Sequence, residues 1–322
     1  MTRHLAATAL AVCLALVHAI AAAQGAAYPN RMVRIIVPFP PGGATDLMTR
    51  NVAQKLGEAW NQPVVTENRP GANGMIGADA VAKSQGDGYV LLAGTIAHSA
   101  NVSLFPKAAY QFEQDLRPVA ILGLLPIVVV VNSSSQIHSL QDLVAVSRRR
   151  DLNGGSGGNG TAAHLTLELF KGLSGARIQH VAYKGGAPAM TDLLGGQIDV
   201  IFALLPECLP HVKSGRLRAL AITTEVRHPL LPDVATTSEA GIAGLEVTSW
   251  NGLFVPAATP GDVVAKINAA VNEIMRNPDM KARIIEQGFQ PAPMSAGETQ
   301  KFVRADVERW AKVIRDANIR AD

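Results

Sequence analysis

Two loops of this chain carry residue types that could do chemistry on a small molecule. The stretch Asn153-Gly154-Gly155-Ser156-Gly157-Gly158-Asn159-Gly160 satisfies two enzyme patterns at once. Gly154, Ser156 and Gly158 give the G-x-S-x-G of a nucleophile elbow, and Asp199 followed by His211 or His228 would supply acid and base in the matching order. Gly155, Gly157 and Gly160 give the G-x-G-x-x-G of a dinucleotide loop. Neither pattern convinces. An elbow needs a rigidly strained turn, whereas glycines on every side leave Ser156 loose. A dinucleotide loop needs a strong preceding strand and an acidic residue after the next strand to hold a ribose, and neither is legible. The eight histidines, with His98, His164, His180, His211 and His228 far apart, form no metal-ligand spacing, so neither metal nor cofactor is expected.

The second loop is Pro38-Phe39-Pro40-Pro41-Gly42-Gly43, which breaks a buried-strand run from Val33 to Val37 and opens a helix readable from Leu47, Met48, Val52, Leu56 and Trp60. Glycines here let backbone approach a ligand, and the free N–H groups of a first helical turn favour a carboxylate or phosphate. The same stretch also reads as a tight strand-to-helix connection with no ligand. The Asn153–Gly160 loop resembles it, with small hydroxyls at Ser156 and Thr161 and a helix N-terminus beyond. Two such loops, one in each of two units, could grip a small anion from facing domains.

The elements that must position these loops alternate between strand and helix. Val64–Thr66 and Tyr89–Thr95 read as further strands, with a helix from Met75 to Lys83 between them. Such spacing implies a mostly parallel sheet with ligands beyond the carboxyl ends of its strands. Val119–Leu122 and Ile127–Val131 are two β-rich runs separated by Gly123–Pro126, a crossing between domains. A second unit follows. Ser139 to Arg149 is helical, with Ser139 and Asp142 spaced as a capping box; at most a short strand precedes Asn153, and Thr161–Leu173 forms a helix. Ile178–Tyr183, Ile198–Leu205 and Leu217–Thr223 supply strands, and Val247–Val255 looks like the return crossing. Gly261–Arg276, Asp279–Gln287 and Ala296–Ala317 read as helices that pack back onto the first unit.

With 322 residues and 48% hydrophobic content the chain is long enough for two domains. Twenty-nine basic against 26 acidic residues, with Arg148-Arg149-Arg150 as the only basic cluster, gives no support for nucleic-acid binding. Arg3 and His4, the apolar run Leu5–Ile20 and Ala21-Ala22-Ala23 before Gln24 read as a signal peptide over residues 1–23, which sends the mature chain out of the cytoplasm. Cys13 sits inside that apolar run after a bulky Val12, an unsuitable place for a lipid anchor. Cys208 is then the sole mature cysteine, and no intramolecular disulfide is possible. The apolar run Val119–Val131 is interrupted by Gly123 and Pro126 and falls short of the roughly 20 residues a membrane span requires.

Several stretches in register resemble one family. They are Pro38–Asp46, Glu67-Asn68-Arg69-Pro70-Gly71-Ala72 with Gly77, Gly158-Asn159-Gly160-Thr161-Ala162-Ala163-His164-Leu165, Tyr183–Ala189, Asp192–Asp199 and Trp250-Asn251-Gly252-Leu253. All are similar to the Bug or TctC family, the extracytoplasmic substrate-binding proteins of tripartite tricarboxylate transporters, and the likeness runs from about Tyr28 to the C-terminus. It implies an α/β, two-domain periplasmic-binding-protein fold of the second topological type, each domain a mostly parallel sheet flanked by helices, joined by two crossing strands. Residues 28–124 and 248–322 would form domain 1, and residues 125–247 domain 2.

The resemblance also implies how a ligand carboxylate is held: by backbone amides, small hydroxyls and ordered waters, with the second domain closing over it. Carried onto this chain, domain 1 offers Phe39, Gly42, Gly43, Thr45 and Asp46, with Thr95 and His98. Domain 2 offers Ser156, Gly158, Thr161, His164, Tyr183, Lys184 and Gly185. Asp46 would repel a carboxylate, so it caps its helix, orients waters or meets an amino group of the ligand. Lys184 is either a counter-charge or solvent-exposed, and His164 and Trp250 suit packing roles as well as ligand contact. Asn153–Ser156 replaces the family's usual aromatic approach to this serine, and Ala97–Asn101 varies its serine-histidine-alanine order, which leaves the ligand's identity open.

The expected function is capture of a small organic acid in the periplasm by a monomer, with no enzymatic step, for delivery to a tripartite tricarboxylate-type permease. A secreted serine hydrolase using Ser156 and a periplasmic ligand sensor are the alternatives.

Overall fold

A computed structural model describes residues 28–320; the signal-peptide segment 1–23 and Cys13 lie outside the described residues. The Val- and Ile-rich run becomes β1 (Val33–Val37), followed by α1 (Ala44–Trp60), β2 (Val64–Asn68), α2 (Met75–Ala82), β3 (Val90–Thr95), α3 (Ile96–Leu104) and a short α4 (Phe112–Asp115). Then come β4 (Leu116–Asn132), α5 (Leu140–Arg149), β5 (Leu152–Ser156), α6 (Ala162–Ser174), β6 (Ile178–Ala182), α7 (Gly186–Leu194), β7 (Val200–Leu204), α8 (Leu205–Lys213) and β8 (Leu217–Ile222). The chain closes with β9 (Thr248–Pro256), α9 (Gly261–Arg276), α10 (Pro278–Glu286) and α11 (Ala296–Asp316).

Two sheets share one strand. In the first the order is β2-β1-β3-β9-β4: β1 runs parallel to both neighbours, while β9 is antiparallel to β3 and β4. In the second it is β6-β5-β7-β4-β8, with β5 parallel to β6 and β7, and β4 antiparallel to β7 and β8. β4 belongs to both because it changes partner along its length. It pairs with β9 as far as Pro126↔Thr248, and with β7 from Ile127↔Leu204 onward. Gly123–Pro126 is therefore no break between two strands, as the sequence suggests, but part of one 17-residue strand. A proline cannot donate to a ladder, and both prolines sit where the ladder is already irregular: Pro118 beside a register shift, Pro126 at the change of partner.

The glycine-rich stretch also differs from its reading. Its first half is β5, and the glycines serve close packing rather than loop freedom. A Cβ on Gly154 would sit 2.9 Å from both Ile178 and Leu167, and one on Gly155 would sit 2.4 Å from Ile198. Glycine's low strand propensity hides this strand in the sequence. At α5 the Ser139 hydroxyl accepts from Asp142 N at 3.0 Å, but the Asp142 carboxylate takes His138 N rather than Ser139 N, so the capping box is only half formed.

One apolar core lies under α1, α9 and α10, built from residues such as Ile35, Val52, Leu91, Leu122 and Ile267. Another runs across both sheets, from Leu92 and Trp250 to Phe170 and Phe202, and takes in Val303, Val307 and Trp310 of α11. A third lies between the second sheet and α7 and α8. α11 is also tied to the return strand, because Trp250 Nε1 donates to Asp306 Oδ2 at 2.8 Å. Gly94 faces Gly252 across β3 and β9, and the Phe254 ring fills the space the missing side chain leaves.

Three histidines are built into this framework as neutral rings. His98 Nδ1 accepts from Thr95 N at 3.1 Å while Thr95 Oγ1 accepts from Ala97 N at 3.2 Å, a reciprocal cap on α3. His164 Nδ1 accepts from Gly160 N at 3.0 Å, and its ring stacks at 4.0 Å on His180, whose Nε2 lies 2.6 Å from Ser156 Oγ. Burial pushes all three down to about 4.

Two outcomes follow. Gly94→Ala drives a methyl to within 2.3 Å of the buried Phe254 ring, and chemical denaturation should show a loss of about 1–3 kcal/mol. In the unfolded chain these histidines protonate near 6.5, but in the folded chain only near 4. The unfolded state binds more protons in between, so their contribution is full above about pH 6.5 and is lost as pH falls toward about 4. Glu207 and Asp306, whose carboxyls burial pushes up, act with the opposite sign above their ordinary carboxylate values. Denaturant midpoints measured from pH 7 to 4.5 should fall for the wild type and fall less steeply for His180→Gln; parallel curves would mean that His180 is not held neutral.

Candidate functional site

Between the two lobes lies a cleft of about 860 Å³, counting the space at its open mouth. Its walls are the first turns of four helices, α1 and α3 from the first lobe and α6 and α7 from the second, with β7, β9 and α8 closing it. Three of those helices begin without a side-chain cap: Gly43 precedes α1, Thr161 precedes α6 and Gly185 precedes α7. Thr161 turns its hydroxyl away from its own helix, donating to Gly158 O at 2.7 Å. First-turn N–H groups with no intrahelical partner therefore face the cleft from both sides, each at the positive end of a helix dipole. The left-handed backbone at Gly42 (φ 86°) and Gly185 (φ 128°) turns the chain into two of these helices.

The structure brings six of the residues expected from the sequence together on the cleft wall: Phe39, Gly43, Thr45, Thr95, Thr161 and Gly185. It puts the others elsewhere. Gly42 borders a neighbouring hollow, and Gly158, Tyr183 and Lys184 border another on the far side of Phe39. Tyr183 donates its hydroxyl to Asp192 at 2.7 Å, and Lys184 is exposed, so neither supplies a charge to the cleft. Gly42, Gly158, Tyr183 and Lys184 lie in the loops before the helix caps, outside the cleft wall. Asp46 is buried behind the loop, where it accepts from Gly42 N at 3.0 Å, Arg50 Nε at 2.9 Å and Asn68 Nδ2 at 2.9 Å. Burial works against its ionisation, yet the hydrogen bonds from Arg50, Gly42 and Asn68 hold its pKa below the usual value. Asp46 shapes the loop; it does not line the cleft. His98 and His164 are buried as the cap and stack described above.

The hydrolase geometry is absent. Ser156 is wholly buried, outside the cleft wall, and meets His180 rather than His211 or His228. Asp199 is engaged by Arg150 Nη2 at 2.7 Å and by Asn153 N at 2.8 Å. The glycine loop does follow a strand, β5, and open a helix, but the chain after β6 reads Tyr183-Lys184-Gly185, with no carboxylate for a ribose.

Three polar cleft residues escaped the sequence reading. Ser249 and Asn251 project from β9 into the wall; Asn251 Nδ2 donates to Thr45 Oγ1 at 3.1 Å, while its Oδ1 has no partner among the described residues. Glu207, in the first turn of α8, crosses from the second lobe and accepts from Ala44 N, the first amide of α1, at 3.3 Å. Desolvation pushes its carboxyl above the usual glutamate value. The Trp250–Leu253 stretch pointed toward Asn251, but nothing in the local sequence marked Glu207.

The chain's likeness to known proteins agrees with this architecture. The family described as "Tripartite tricarboxylate transporter family receptor" matches residues 48–319. Protein BugT of Bordetella pertussis is 37% identical over 293 residues, covering 90% of each chain. An R. palustris protein solved with adipate superposes with a TM-score of 0.88 at 35% identity, over 91% of this chain and 99% of that one. MatC from Rhodopseudomonas palustris, with bound malate, gives 0.85 at 31% identity, over 89% of this chain and all of that one (100%). The chain belongs to the TctC family of tripartite tricarboxylate transporter receptors, and within it is a solute-binding protein and not an enzyme.

Proposed function

We propose that this protein captures a small organic acid in the periplasm and hands it to the membrane permease of a tripartite tricarboxylate-type transporter, working as a monomer. Residues 28–124 and 248–322 act as one lobe and 125–247 as the other, hinged where β4 changes partner and β9 returns. The observation that carries this reading is the convergence, in one cleft, of four helix first turns, two from each lobe, with no Lys, Arg or His among the described lining residues. Such a wall recognises a carboxylate through backbone amides and dipoles rather than through ion pairs. The relatives solved with adipate and malate support an organic acid as the ligand class.

Closure would bring both sets of amides onto the acid and exclude water, and the ligand shifts the equilibrium through its higher affinity for the closed form. Lining residues from both lobes, Gly43 and Thr95 on one side and Thr161 and Gly185 on the other, would each contribute to that difference.

The test is a thermal-shift screen on the chain from Gln24 onward, unfolded and refolded to strip retained ligand, against mono-, di- and tricarboxylates, acidic amino acids and aromatic acids. A true ligand at 100 times its dissociation constant should stabilise by about 2.7 kcal/mol, a rise of a few degrees. Ala187 is exposed at the cleft wall, so Ala187→Trp should fold normally and abolish that rise. A flat response by refolded protein to the whole panel would remove organic acids as its ligands.

A further inference from the structure

Glu207 is the only ionisable side chain among the described residues of the cleft wall. A negative charge is an odd occupant of a site otherwise built from the positive ends of helices. Its carboxylate lies against the start of α1, 3.3 Å from Ala44 N, and against the start of α7, where a Cβ on Gly186 would come within 2.7 Å of Oε2. Only a glycine at position 186 lets the carboxylate sit there. Among the described residues no cation neutralises it: His211 and Arg216 border the hollow on its outer flank, but neither is among the groups that set its ionisation, which are burial and the Ala44 amide. A second acceptor lines the same cleft, because Asn251 is 1% exposed and its Oδ1 has no partner among the described residues.

One lobe-spanning carboxylate thus already occupies part of the anion seat with a single long amide bond, and Asn251 Oδ1 in the same cleft has no donor among the described residues. A plain dicarboxylate would bring a second negative charge toward Glu207 in a place where burial strengthens repulsion. A ligand with one carboxylate and one nitrogen donor would satisfy both ends of the cleft: its carboxylate on the free first-turn amides, its N–H groups on Glu207 and Asn251.

We propose that Glu207 is the specificity-determining residue of this cleft, and that it selects a carboxylic acid bearing an amino or amide nitrogen over a dicarboxylic acid of the same length. This rests on the organic-acid reading above and narrows it. Discrimination here acts partly by exclusion, since the acceptor end penalises the wrong ligand as well as rewarding the right one.

Calorimetric titration of ligand-stripped protein tests this with matched sets: succinate, glutarate and adipate, each beside its ω-amino and its ω-amide counterpart. At the best-binding length the wild type should hold the amino or amide acid at least about tenfold more tightly than the dicarboxylate. Glu207→Gln, close to isosteric, should tighten dicarboxylate binding and bring that ratio to about threefold or less. Equal or tighter binding of the dicarboxylates by the wild type would overturn the inference without recourse to any variant, and so would an unchanged ratio in Glu207→Gln, while leaving the organic-acid reading intact. Failure of every acid to bind would remove that reading and the inference with it.

Discussion

The first turn of an α-helix leaves backbone N–H groups that the helix itself cannot satisfy, and burying them without an acceptor is costly. Much of this fold can be understood from where those groups are sent. At α3 they are met locally, by Thr95 and by the ring of His98. At α11 Ser295 and Glu298 do the same in a reciprocal cap. At α1, α6 and α7 the capping residue makes no side-chain bond to its helix; Glu207 accepts from the first amide of α1, and the first turns line the space between the lobes. A cleft wall that combines backbone amides with a few polar side chains, Glu207 and Asn251 among them, follows from that difference.

Such a site depends on rigid supports, because amides can be pre-aimed only if the loops carrying them are fixed. The Asp46 carboxylate fixes the first loop by gathering Gly42, Arg50 and Asn68 around itself. The second is fixed by Ser156, which accepts from Gly158 N, and by the His164–His180 stack behind it. Residues whose chemistry suggests ligand contact thus serve one layer back, holding the backbone that lines the cleft. Burial keeps the histidines among them neutral, which lets Nδ1 of His98 and of His164 accept a backbone hydrogen bond.

The lobes are connected through the sheet rather than through a flexible linker. β4 carries its ladder from one lobe into the other, and one apolar cluster continues across both sheets beside it. β4 exchanges β9 for β7 and β8 beside Pro126, whose missing N–H weakens the ladder there. The contact from Glu207 to Ala44 joins the first turn of α8 to the start of α1 across the cleft.

What the sequence by itself determined was the alternation of elements, the family resemblance and the two cradle loops, because these rest on local patterns: β-branched runs, helical periodicity, and Pro/Gly breakers at fixed spacing. Phe39, Gly43, Thr45, Thr95, Thr161 and Gly185, named from the resemblance, lie on the cleft wall. β5 was not, since a strand written Leu-Asn-Gly-Gly-Ser has little intrinsic preference and exists because neighbouring side chains leave room only for glycine. Only the tertiary structure decided which polar residues face the cleft. Asp46, His98, Ser156 and His164 turn inward to satisfy loop and cap amides, whereas Glu207 and Asn251 reach the cleft from elements distant in sequence. A side chain's partner across 163 residues, as between Glu207 and Ala44, is set by how the two sheets meet, and no local pattern records it.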